Sequence, residues 1–111
     1  MPRQSIFDMP FSRVYPLLVR KAERKGRTAK EVDAVIAWLT GYDMAGVNPD
    51  LPCREFFGNA PAWNPLSEKI TGKVCGIRVE AIEDPLMKRI RQLDKLVDEL
   101  ARGKPMEKIL R

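Results

Sequence analysis

Glycine and proline punctuate this chain so often that only short helices fit between them. Seven glycines and nine prolines are spread over 111 residues. The longest stretch free of both is 86–102, opened by Asp84-Pro85 and closed by Gly103. Within it Leu86, Ile90, Leu93, Val97 and Leu100 recur at three- and four-residue steps, the seam of an amphipathic helix. Leu96 widens the seam and Met87 flanks it. Glu83 and Asp84 suit the positive end of the helix dipole. Pro105 then opens a short terminal turn with Met106, Ile109 and Leu110.

The remaining segments follow the same punctuation. Phe11, Val14, Tyr15, Leu18 and Ala22 share one helical face, which predicts a helix over 13–25 with Ser12 as its cap, Pro16 in its first turn and Gly26 as its stop. Thr28 and Glu31 form a capping box, and Val32, Val35, Ile36 and Leu39 predict a second helix ending at Gly41. Residues 42–65 hold four prolines yet also Phe56, Phe57 and Trp63, so they read as a long packed loop with one short helix near 53–58. Residues 64–82 are ambiguous. Leu66, Ile70, Val74, Ile77 and Ala81 have helical spacing after an Asn64-Pro65 start. Cys75, Ile77 and Val79 instead alternate as in a strand, and Gly72 and Gly76 weaken a helix. Helix is the favoured reading here. The expected fold is all-α: a single domain over 1–111, a small orthogonal bundle of four to five helices with one long packed loop.

A chain of this length can bury roughly two-thirds of the surface its unfolded form exposes, so it needs neither disulfide nor metal to hold a core. Its only cysteines are Cys53 and Cys75, fewer than a disulfide-stapled secreted domain carries, and they read as free thiols. No early apolar run reaches the length of a signal or membrane segment, so a cytoplasmic location without membrane contact is expected.

The absence of histidine narrows the chemistry. It removes the commonest general base near neutral pH, the commonest zinc ligand and every Ser-His-Asp or Cys-His arrangement. Two cysteines cannot complete a structural zinc site, so no metal site is expected. There is no phosphate loop, and no cofactor is implied. Glu80, Glu83 and Asp84 could hold a hard cation or work as an acid/base pair, but capping and surface solvation explain them more simply.

Charge supplies the clearest functional hint. The net charge is +5, and residues 1–30 carry eight basic side chains against two acidic ones. Arg20, Lys21, Arg24, Lys25 and Arg27 cluster at the end of the first helix, a footprint suited to polyanions. The helix–turn–helix outline around Gly26 resembles a DNA-binding unit. The second helix, however, offers Glu31, Asp33, Ala34 and Ala37 where a recognition helix needs side chains for base edges. Nucleic-acid contact would be non-specific, to the backbone, and salt-sensitive.

Several long stretches carry a resemblance. They include Lys21-Ala22-Glu23-Arg24-Lys25-Gly26-Arg27-Thr28, Trp38-Leu39-Thr40-Gly41-Tyr42, and Ile82-Glu83-Asp84-Pro85-Leu86-Met87. Leu93-Asp94-Lys95-Leu96-Val97-Asp98-Glu99-Leu100 belongs with them, as do the shorter Ala60-Pro61, Asn64-Pro65, Ile70-Thr71-Gly72, Cys75-Gly76 and Arg78-Val79-Glu80. Over nearly its whole length the chain resembles the bacterial family catalogued as domain of unknown function 2200. The resemblance implies a small, mainly helical prokaryotic protein and carries over no catalytic or binding residue. Three expectations follow. The first is a non-catalytic protein-interaction or self-association module, with Met87 and Leu96 beside the last long helix as the contact to a protein partner or a second copy. The alternative is non-specific nucleic-acid binding through the basic helix face. The third is an enzyme relying on a cysteine such as Cys75, on Tyr15 or Tyr42, or on the carboxylates.

Overall fold

A computed structural model describes residues 7–43, 46–48, 50–74 and 76–110. Among them lie five α-helices and a small hairpin: α1 (Phe11–Glu23), α2 (Ala29–Thr40), α3 (Cys53–Gly58), β1 (Lys73–Val74), β2 (Ile77–Arg78), α4 (Pro85–Ala101) and α5 (Met106–Ile109). Two 3-10 turns, Pro65–Lys69 and Val79–Ala81, flank the hairpin. The fold is mostly helical, as the periodicity predicts.

α4 is the axis of the molecule, and α1, α2, α3, β1, the second 3-10 turn and α5 all pack on it. Its N-terminus is closed by Asp84, whose carboxylate accepts from the backbone N–H groups of Leu86 (2.9 Å) and Met87 (3.1 Å). Ile90, Leu93, Leu96, Val97 and Leu100 are all buried in one core with Phe11, Leu18, Val32, Ile36 and Leu39. The polar side of α4 is covered too. Gln92 donates to the Ser67 carbonyl, Lys95 to that of Lys73, and Arg89 to that of Phe57. The residues that make α4 look amphipathic thus moor the surrounding loops to it.

The Thr28–Glu31 capping box forms in both directions, and α2 stops at Gly41 with φ +81°. A Cβ at Gly41 would stand 2.7 Å from the Ala62 Cβ and 2.9 Å from its nitrogen. That close approach lets the loop dock on the end of α2: Ala62 donates to the Thr40 carbonyl and Asn64 to that of Leu39. The aromatics of the long loop are the loop's anchor. Phe56 stacks on Phe11 with centroids 3.8 Å apart, and Tyr42 also stacks on Phe56 at 4.5 Å.

Two expectations need correction. α1 starts at Phe11, not Arg13, with Pro10 at its cap position and no side-chain cap. The reason is packing: Phe11 is fully buried and its N–H donates to the Leu51 carbonyl at 2.8 Å. Pro16 therefore lies inside the helix on its exposed face, where the carbonyl it leaves unbonded can reach water. Residues 64–82 are not a helix. Gly72, at φ +106°, turns the chain into an antiparallel hairpin that pairs Lys73 with Arg78 and Val74 with Ile77. The helical stripe is split: Ile70 and Val74 are buried, while Leu66 and Ile77 are exposed. Cys75 lies outside the described residues.

Candidate interaction surface

The C-terminal ends of α1 and α4 sit together. Lys21 reaches Asp98 at 3.4 Å, and the Arg27 guanidinium donates to the carbonyls of Leu100 (3.3 Å) and Lys104 (2.9 Å). Two helix ends with partial negative charge therefore share one pole, and cations gather there. A groove of about 560 Å³ runs between them, lined by Lys21, Arg24, Lys25, Asp98, Ala101 and Arg102.

The five basic residues singled out in the sequence do not act alike. Arg27 is committed to the fold: its side chain is 16% exposed, and it grips both Glu31 and the end of α4. That grip holds the Glu31 carboxyl below the usual carboxylate range. Lys21 is spent on Asp98, which Arg102 (3.0 Å) and Lys95 (3.9 Å) also approach. One half-buried carboxylate thus neutralises much of the groove. Arg20, Arg24 and Lys25 are exposed and make no ion pair among the described residues.

Arg20 and Arg24 belong to a stripe the sequence reading missed. Arg13, Leu17, Arg20 and Arg24 recur at steps of four, three and four, so they stand on one face of α1, and all are exposed. Leu17 is 58% exposed, the most open large apolar side chain among the described residues. Its signal was its position outside the Phe11–Val14–Leu18–Ala22 face and in register with three arginines.

The two proposed contact residues on α4 fare differently. Leu96 is fully buried in the core of its own chain and has no surface to offer another copy. α4's seam is occupied by α1 and α2. Met87 is half-buried beside the N-terminal end of α4.

Several of the chemical candidates are held by structural contacts. Cys53 is a free, fully buried thiol, and burial, aided by the Asp94 charge, pushes its pKa up to about 11. A nucleophile needs the opposite shift. Tyr15 donates to the Asp33 carboxylate, and desolvation followed by that bond raises its pKa to about 12. Tyr42 donates to the Phe56 carbonyl, and burial raises its pKa as well. Glu80 accepts from the Gly72 N–H at 2.9 Å and braces the hairpin, while Asp84 caps α4. Among the described residues no three Cys, Asp or Glu side chains come together to hold a metal, and no helix is long and apolar enough to cross a membrane.

Residues 5–111 match the family described as an uncharacterized protein conserved in bacteria (DUF2200). The chain belongs to this family. It is similar to the crystal structure of the uncharacterized protein SP1917, with 46% sequence identity and a TM-score of 0.89 over 98% of this chain and 93% of that one. No curated protein matches it. The likeness to that structure spans nearly the whole chain, the hairpin and the docked loop included.

Proposed function

We propose that the protein is a non-catalytic interaction module whose outer α1 face docks an acidic segment of a protein partner. The observation that carries this reading is Leu17, 58% exposed between Arg13, Arg20 and Arg24. An apolar anchor ringed by cations complements a helix or extended segment that pairs acidic side chains with one large apolar residue. A second copy of the chain is disfavoured on this face, because it would oppose like charges. A cytoplasmic location and an orthogonal arrangement of the helices accompany this reading; the free Cys53 thiol supports the first.

Non-specific nucleic-acid binding is the second reading, favoured by the exposed Arg20, Arg24, Lys25 and Arg102 at one pole. A phosphate backbone gains nothing from Leu17, and Asp98 in the groove opposes it. A display selection from random peptides on the immobilised protein separates the two. Enrichment of acidic peptides with one large apolar residue, lost on Leu17→Gln and on Arg20→Gln/Arg24→Gln, is the expected result. Enrichment without acidic character, or indifferent to both variants, would overturn the reading.

A further inference from the structure

A second recess lies on a different part of the molecule. It is a cleft of about 330 Å³ between the first 3-10 turn, the link 82–84 and the opening turns of α4, near the lower end of the range for small-ligand sites. Its floor holds two buried polar residues, Ser67 and Gln92, each 3% exposed. Gln92 donates to the Ser67 carbonyl, and the Trp63 indole N–H donates to the Ser67 hydroxyl at 3.1 Å, so the floor is fixed. The Arg89 guanidinium lies 4.6 Å over the Trp63 ring and is held there by the Phe57 carbonyl at 2.7 Å. Only one of its nitrogens is used by that bond, leaving donors for another acceptor. Apolar edges come from Ile82, Pro85 and Trp63.

Charges of both signs face this cleft. Lys88 and Arg89 are cationic and Glu68 and Glu83 anionic, and none of the four takes part in an ion pair among the described residues. An anion alone would meet two carboxylates, and a cation alone would meet an ammonium and a guanidinium. A molecule carrying both charges close together meets a partner for each.

We infer that this cleft binds a small zwitterion of the α-amino-acid class. Its carboxylate is taken by Arg89 and Lys88, its ammonium by Glu68 and Glu83, and its apolar side chain by Trp63, Ile82 and Pro85. The site shares no residue with the α1 face and stands or falls separately from it.

The test uses three probes that share the same butyl group: L-norleucine, hexanoate, which lacks the ammonium, and pentylamine, which lacks the carboxylate. Each is titrated into the full chain carrying Trp38→Phe, so that Trp63 alone reports by fluorescence, with the indole N–H resonance followed by NMR. Norleucine gives a saturable change, and the two single-charge probes bind at least about tenfold more weakly. Glu68→Gln/Glu83→Gln and Lys88→Gln alter exposed or half-exposed side chains with no hydrogen bond to the fold, and each weakens norleucine while leaving the melting temperature in place. No saturable change with norleucine would overturn the inference. Hexanoate binding as well as norleucine would overturn it in favour of a plain anion site, and so would indifference to all these variants.

Discussion

Replacing Arg27 by alanine separates a structural cation from a binding one. Its guanidinium donates twice, from Nε and Nη2, to one carboxylate oxygen of Glu31 and donates to two carbonyls at the end of α4. The Glu31 pair is partly exposed and is worth about 0.5 kcal/mol, as for an i,i+4 helix pair. The carbonyl bonds are charge-assisted and link segments far apart in sequence, which puts them at about 1.5–3 kcal/mol together after allowing for water that can replace them. Arg27→Ala should therefore cost about 2–3.5 kcal/mol. For a domain of this length that is a fall of roughly 8–15 °C in melting temperature. Arg27→Lys keeps the charge but loses the fork and should fall in between. Arg24→Ala, on the exposed face, should stay within about 0.5 kcal/mol of the parent. Thermal denaturation followed by circular dichroism reads all three. A loss below about 0.5 kcal/mol for Arg27→Ala, or equal losses at Arg24 and Arg27, would refute the division of roles.

Leu96→Ala should cost about 2–5 kcal/mol in urea denaturation without changing the mass in solution, since Leu96 packs in its own core; a change in mass at unchanged stability would contradict this. Gly41→Ala should destabilise strongly, because the new Cβ meets Ala62 and the backbone sits at φ +81°; a neutral effect would mean that the loop docks elsewhere. Cys53 should react with iodoacetamide far more slowly than a solvent-exposed thiol until denaturant is added, given its burial and its pKa of about 11. Asp94 gives a pH dependence. Burial raises its carboxyl above the usual value despite the Arg91 bond, so the folded state holds the proton more tightly than the unfolded chain. Its contribution to stability is full below the unfolded value of about 3.9 and falls as pH rises through the raised folded value. Asp94→Asn should thus gain stability relative to the parent between pH 4 and pH 7, and a shift of opposite sign in urea melts would contradict that assignment.

Much of the fold is legible because local signals and packing agree. The capping box of α2, the Asp84-Pro85 opening of α4 and the short helix at 53–58 each join a turn chemistry to a buried face. The failures arise where tertiary contacts decide. Phe11 starts α1 two residues early because its ring fills the core beside Phe56. Residues 64–82 carry a helical stripe, but Gly72 adopts a backbone that ends it, and only a partner surface on α4 tells which apolar residues go inward. Leu96 looked available because a seam on a single helix shows no occupant in sequence. The same blindness applied to Arg27, whose partners lie 73 and 77 positions away. Leu17 and Arg13 went unread for a different reason, since their register with Arg20 and Arg24 is plain in the sequence but lies off the apolar face.

The central claim is that α1 uses Leu17 and its arginines together. Fluorescence anisotropy tests it with two probes side by side, an acidic amphipathic peptide bearing one central leucine and a duplex DNA of matched charge. Both are titrated at 50 and 200 mM salt against the parent and Leu17→Gln. The account predicts that the peptide binds the parent more tightly than the duplex at both salt concentrations, and that Leu17→Gln weakens the peptide about tenfold while leaving the duplex unchanged. Tighter binding of the duplex, or a peptide affinity indifferent to Leu17, would contradict it.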